Sequence, residues 1–353
     1  MFAVHNSLRL CLAVLLAASL LVSAAHAQKW SRLAPFPEPS EEIWGASAGG
    51  KLYVFGGLAP GWKPKSYVFE YDPGNDSWTK KKNMPIGLHH VAAAELNGKI
   101  YMFGGFRYPD TPKPDGSPNP GWQPVDNAWE YDSVQDTWKA LAPMPTKRGS
   151  SNAVAHGGKI YVIGGASIHP GSKESFIHPA RPHRSVDANE VYDPATNTWE
   201  KRNPMPTPRN HAAAGMANNK IYIIAGRIGA AFITRGSSVN IVEEYDPATD
   251  QWGPLKAPIP TARSAVAFGT YRGKIYVAGG EDQDSKKLSA FRAVEAYDPV
   301  SNSWTSMPSM QFPRHGLAGA FVGNRLHLVS GDAQSASSGA VTHVEYHDAL
   351  EIP

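Results

Sequence analysis

Cysteine is almost missing from this sequence. The 353 residues include one, Cys11, inside an apolar run near the N-terminus. A disulfide framework cannot be built from a single thiol, and a mature chain without Cys11 has no cysteine nucleophile and no thiolate metal ligand. A charge excess is also missing: the formal net charge is +3, less than a general nucleic-acid binder carries. Long apolar runs are missing too. Only Leu10–Val22 approaches one, and it is too short to span a bilayer as a mature helix.

That run has the form of an export leader. Arg9 supplies a positive start, Leu10–Val22 the apolar stretch, and Ala25-His26-Ala27 a small-x-small cleavage site. The mature chain is expected to begin at Gln28, to be periplasmic or secreted, and not to insert in a membrane. Without Arg9 the formal charge falls from +3 to +2. The remaining 28–353 form one domain, long enough to rest on its own buried core. What is abundant is glycine (33), proline (30), tryptophan (10) and tyrosine (14), a composition of β structure and tight turns.

A repeat organises these residues. "KLYVFGG" at 51 returns as "KIYMFGG" at 99, "KIYVIGG" at 159, "KIYIIAG" at 220, "KIYVAGG" at 274 and "RLHLVSG" at 325. Each is followed by a tyrosine turn: "FEYDP", "WEYDS", "EVYDP", "EEYDP", "EAYDP" and, in the sixth unit, "VEYHD". Five of the turns lead to Trp78, Trp138, Trp199, Trp252 and Trp304, whereas the sixth leads only to "ALEIP". The sixth tryptophan is Trp30, in front of the first repeat. A ring accounts for the offset, with the N-terminal strand completing the last unit. Each unit reads as four short antiparallel strands, with tight hairpin turns such as Asn97-Gly98 and Gly157-Gly158 after a small, apolar inner strand.

The paired glycines, the separated tyrosine and tryptophan, and a period of roughly 50 residues resemble the kelch repeat. The resemblance runs from Gln28 to Pro353 and implies an all-β, six-bladed β-propeller. Departures are Ala225-Gly226 in the fourth unit, Ser330-Gly331 with His327 in the sixth, and Ser133 in place of proline in the second.

Antiparallel order puts the start of each inner strand and the loop after each double glycine at one end, where a ligand is to be sought. Eleven residues before each repeat lysine or arginine stand Ser40, Leu88, Arg148, Arg209, Arg263 and Arg314, followed by pairs that include Glu41-Glu42, His89-His90 and Asn210-His211. The loops add Arg107, Trp122, Arg227 and Glu281, together with a histidine-rich segment containing His169, His178 and His183. Guanidinium groups pair bidentately with carboxylates and sulfates. Arg148, Arg209, Arg263, Arg314, Arg107, Arg227 and Trp122 are therefore expected to bind an anionic ligand: an acidic or sulfated glycan, or an acidic protein segment. The alternative for each arginine is structural, holding carbonyls or carboxylates between blades. Trp62 and Trp122, both in "PGW" loops, read as exposed contact residues.

Catalytic motifs are few. "GASAG" at Gly45–Gly49 matches a nucleophile elbow in letters but falls in an inner strand rather than a strand–turn–helix. The spacing of the three loop histidines is irregular, so neither a metal site nor a cofactor is expected. Galactose oxidase shares kelch repeats, but its copper chemistry needs a cysteine-crosslinked tyrosine that this mature chain cannot form. Exported bacterial sialic acid mutarotases are also kelch propellers. That distant resemblance implies an alternative, a mutarotase or epimerase of an acidic sugar such as N-acetylneuraminic acid, but it transfers no catalytic residue; by their place at the mouth, Glu41, Glu42, His90, His211 and Glu281 are candidate proton-transfer groups and Arg148 or Arg209 a carboxylate clamp. A third reading is a protein-interaction scaffold. In every reading the chain is expected to be a monomer without nucleic acid.

Overall fold

The computed structural model describes residues 29–353 except 111, 113–115, 117–120, 174, 178–182, 230–237, 284–288 and 337–341. The leader reading over 1–27 lies outside the described residues, as does His178. Among the described residues there is no helix long and apolar enough to cross a membrane.

Six four-stranded antiparallel sheets follow one another around an axis. Blade 1 is typical: Trp44–Ala48 lines the axis, Lys51–Phe55 and Val68–Asp72 follow, and Ser77–Lys81 is outermost. The sixth blade takes its outer strand from the N-terminus. Trp30–Arg32 pairs antiparallel with His347–Glu351, Trp30 opposite Leu350 and Arg32 opposite Asp348. This is the ring closure that the displaced tryptophan called for.

The inner strands are small because they converge: a Cβ on Gly45 would meet the backbone of Gly319 at 2.9 Å. Apolar side chains therefore pack between blades rather than at the centre. Phe55, Val68 and Tyr53 of blade 1 meet Val91, Ile100 and Tyr131 of blade 2, and five similar clusters continue round the ring. The tryptophans tie the outer rim. Trp78, Trp138, Trp199, Trp252 and Trp304 each donate their indole N–H to a carbonyl of the preceding blade's exit segment, at 2.8–3.2 Å. Trp30 does the same to Pro308 at 3.2 Å. Burying the ring while satisfying its one donor is what makes tryptophan suit this place.

The sixth tyrosine turn differs from the sequence reading. "VEYHD" does not occupy the place of the other five. Register sets Leu350 opposite Leu326 as Tyr71 stands opposite Leu52, so Leu350-Glu351 takes the Tyr-Asp position, four residues further on. The final motif matches the other five in its letters alone, whereas pairing follows the burial of alternate residues.

Candidate functional site

Six isolated bridges join the start of each inner strand to the residue after each double glycine: Glu41 to Leu58, His89 to Phe106, Gly149 to Ala166, Asn210 to Arg227, Ser264 to Glu281 and His315 to Asp332. The inner-strand starts and the long loops therefore share one end of the ring. One residue further, Glu42, His90, Ser150, His211, Ala265 and Gly316 all have left-handed backbones, φ 52–58°. Left-handed backbone is costly for residues with a side chain. Here it is held by a hydrogen-bonded belt. The N–H of His90 donates to the Glu42 carbonyl, Ser150 to His90, His211 to Ser150, Ala265 to His211 and Gly316 to Ala265, at 2.9–3.2 Å, and Ile43 N–H closes the circle on Gly316 at 3.3 Å.

Beyond the belt a channel of about 350 Å³ runs toward the hairpin turns, walled by small residues with Trp44, Met216, Phe268 and Phe321. At the belt itself lies a cavity of about 40 Å³ faced by Glu42, His90, Ser150 and His211. The larger space is thus not at the long-loop end, but the titratable groups are.

The four inner-strand arginines do not reach the mouth. Arg148, Arg209, Arg263 and Arg314 are 0–1% exposed. Each pairs with an acid of its own blade: Arg148 with Glu190, Arg209 with Glu243 at 2.8 Å, Arg263 with Glu295, and Arg314 with Asp348 at 2.8 Å. Each also donates to backbone carbonyls, Val162 for Arg148 and Ile223 for Arg209, both at 3.0 Å. This is the structural alternative, within a blade rather than between blades. It explains two sequence patterns. Thr146, Thr207 and Thr261, two residues before their arginines, donate to the same carboxylates. Blades 1 and 2, with Ser40 and Leu88 instead of arginine, have Phe69 and Trp129 instead of the acid.

The other expected ligand contacts also have partners. Arg227 is buried, with Nη2 3.1 Å from Glu281 and Nε donating to Ser264 Oγ at 3.1 Å. Arg107 is partly exposed and pairs with Asp110. Trp122 is buried rather than exposed: its backbone exchanges hydrogen bonds with Ile177, and its ring lies 5.5 Å from Phe106 and 4.8 Å from His90. With Leu58, Ala166 and Ile177 it forms an apolar cluster under the loops of blades 1–3, flanked by half-buried Trp62 and Ile168.

The mouth is therefore two-sided, apolar over blades 1–3 and charged over blades 4–6 and 1. Glu41 Oε2 lies 3.2 Å from His315 Nε2, and Glu41 Oε1 lies 3.5 Å from His343 Nε2. Burial would raise the Glu41 carboxyl, but these two histidines hold it down at about 2. Burial would lower His315, but Glu281 and Glu41 raise it to about 10, so it is a cation. Burial, followed by Arg227 and His90, pushes His211 well below its ordinary value and keeps it neutral. Burial would raise the Glu42 carboxyl, but His90, with His315 behind it, holds it below its ordinary value. His90 Nε2 is 3.1 Å from Glu42. Among the described residues, the carboxylates Glu41, Glu42, Glu281 and Asp332 and the cations Arg227 and His315 gather on this side of the mouth. Asp332 and His343 are not singled out in the sequence because they sit in the sixth blade's loop, apart from the inner-strand starts. The rule that points to the other five loops points there as well.

Kelch motif profiles match residues 45–85, 87–145, 208–256 and 262–311, and a second Kelch motif profile matches 147–206. The chain is 29% identical over 285 residues to "Kelch-like protein terF" of Aspergillus terreus, covering 79% of this chain and 58% of that protein. It is 32% identical over 189 residues to "Kelch repeat and BTB domain-containing protein 12" of Danio rerio, covering 51% of this chain and 29% of that one. The chain thus spans less than two thirds of these relatives' length. Among solved structures, "Structure of YjhT" superposes with a TM-score of 0.70 at 18% identity, over 89% of this chain and 95% of that one.

Proposed function

The chain belongs to the kelch-repeat family, and from that premise we propose that it is a binding module that captures a segment of another macromolecule, protein or glycan, at its long-loop mouth. The group presented to the mouth is basic or neutral and hydroxyl-bearing rather than anionic. The observation that carries this reading is where the charges lie: the four arginines expected to attract an anion are consumed inside the blades, while the described residues bring the Glu41, Glu42, Glu281 and Asp332 carboxylates to the mouth. The apolar wall beside it suits the less polar face of a sugar or peptide. A test is binding to an array of acidic, neutral and basic peptides and glycans, by wild type and by Glu42→Gln and Trp62→Ala variants. Neutral or basic probes should bind, and both variants should weaken binding roughly 10-fold or more. Preference for acidic probes, unaffected by Glu42→Gln, would sink the proposal.

A second reading, mutarotation of an acidic sugar, is favoured by one observation: an ionised Glu42 and a neutral His211 face the same small cavity. It lacks its clamp, since Arg148 and Arg209 are paired with Glu190 and Glu243. Proton NMR of freshly dissolved N-acetylneuraminic acid should show the same rate of anomeric equilibration with and without the protein. Acceleration proportional to protein concentration would replace the binding reading with the enzymatic one.

A further inference from the structure

Three residues from three blades meet at the belt. Donor atoms of Glu42, His90 and His211 all lie within 4.8 Å of one another, and all three residues face the 40 Å³ cavity. We propose that this triad binds one divalent transition ion, zinc by preference, through the Glu42 carboxylate and the Nε2 atoms of His90 and His211. The proposal rests on the reading of the mouth as the binding site and says what lies at its floor.

The hydrogen bonds behind the triad support it. Asn210 Nδ2 donates to Ser185 Oγ at 2.7 Å, which turns Asn210 Oδ1 toward His211 Nδ1, 2.5 Å away. An amide oxygen only accepts, so His211 carries its proton on Nδ1, and its Nε2 is an acceptor that Ser150 Oγ approaches at 3.3 Å and an ion would take over. His90 Nδ1 lies 2.5 Å from His89 Nδ1, which leaves its Nε2 facing the triad. That atom is buried and has no hydrogen-bond partner, although Glu42 Oε2 is 3.1 Å away. Two ligands of one ion stand about this far apart: with bonds of ~2.1 Å to zinc, neighbouring donors are ~3.0–3.4 Å apart. Ligating histidines usually donate their other ring N–H to an oriented acceptor, as His211 does here.

The cavity has room for an ion and a water. Two histidines and one carboxylate leave a coordination position for an outside oxygen, here a hydroxyl or carbonyl of the captured segment. Of the two other acid–histidine groups of the mouth, only Glu42 reaches this cavity, since Glu41, His315, Asp332 and His343 do not line it. Glu41 lies between His315 and His343, and Asp332 accepts from Thr342 and from the Gln334 N–H. No metal is expected from the irregular spacing of the loop histidines, and this triad is made of other residues, spread over 42–211.

The test uses untagged, chelator-treated protein, titrated with zinc by calorimetry and with cobalt by visible absorption. One equivalent should bind, with the intense d–d bands of a low-coordinate cobalt site. Glu42→Gln and His211→Ala should abolish both signals, Asn210→Ala should weaken zinc roughly 10- to 100-fold as a positioning residue, and His343→Ala should change neither. Glu42→Gln is nearly isosteric, so the comparison survives if His211→Ala misfolds. Zinc binding lost in His343→Ala but kept in His211→Ala, or no stoichiometric binding by wild type, overturns the proposal. If wild type takes no metal but Glu42→Gln still loses its array ligand, the metal site falls and the binding mouth stands. If zinc binds as described and the array ligand ignores all mouth variants, the metal site stands and the binding mouth falls.

Discussion

At the residue scale, the energetically decisive groups are the four arginine–acid pairs buried within blades 3–6. A charge buried without its partner costs several kcal/mol, whereas an apolar pair of similar volume can be neutral. The molecule contains both solutions, since blade 2 has Leu88 and Trp129 where blade 4 has Arg209 and Glu243. Arg209→Ala should therefore destabilise by about 3–5 kcal/mol, and Arg209→Leu with Glu243→Trp should recover most of that loss, as read by chemical denaturation. Equal losses in the single and double variants would show that the pair is not what the site requires. The arginines go with the third strands: "NEVYD", "VEEYD", "VEAYD" and "HDALE", in the blades that have one, carry an acid, and "VFEYD" and "AWEYD", in the blades that lack one, an aromatic. That co-pattern was legible. The Glu42–His90–His211 triad was not, because the repeat alignment gives equivalent positions but not distances across the axis.

At the element scale, the sixth blade is the odd one. Its second strand has His327 where the other five have tyrosine, and its third strand has His347 where blades 1, 4 and 5 have valine. The two rings are buried, with His327 Nδ1 2.9 Å from His347 Nε2. Burial, then Arg325, lowers His327 to about 4; burial, then His327, lowers His347 to about 3. Between pH 6.5 and 4 the unfolded chain takes up protons that the folded blade refuses, so stability declines as pH falls through that window. Each histidine contributes up to about 1.4 kcal/mol per pH unit. His347→Val, which restores the residue of the other blades, should flatten the slope by about one proton's worth between pH 6.5 and 4 in denaturant titrations. An unchanged slope would place the acid sensitivity elsewhere.

At the scale of the whole molecule, stability depends on closing the ring. The N-terminal segment contributes the Trp30–Arg32 strand, the Trp30 indole bond to Pro308 and the ion pair of Arg32 with Asp348 at 2.6 Å. Phe36 is buried between blades 6 and 1. A chain starting at Ser40 would leave blade 6 with three strands and an open edge along His347–Glu351, the kind of edge that recruits other chains. With two or three large apolar side chains lost at about 1.5–3 kcal/mol each, melting should fall by on the order of 10 °C. The truncated protein should self-associate, and a peptide of residues 29–39 added in trans should reverse both effects. Unchanged melting and a monomeric truncated chain would mean that the closure adds little.

The sequence by itself determined the ring. Six spaced repeats and one displaced tryptophan require closure, because pairing within a blade is local and recurs with the same alternation of buried residues. It also located the end of the ring where the loops and inner-strand starts meet, since antiparallel order leaves no alternative. Only the tertiary structure decided what that end contains. Whether an arginine faces a ligand or a carboxylate of its own blade depends on the direction of the side chain from the inner strand. Whether Glu42, His90 and His211 are neighbours depends on how closely six blades approach one axis. Both are matters of packing in three dimensions, and the repeat is by its nature the part of the sequence that makes the blades alike.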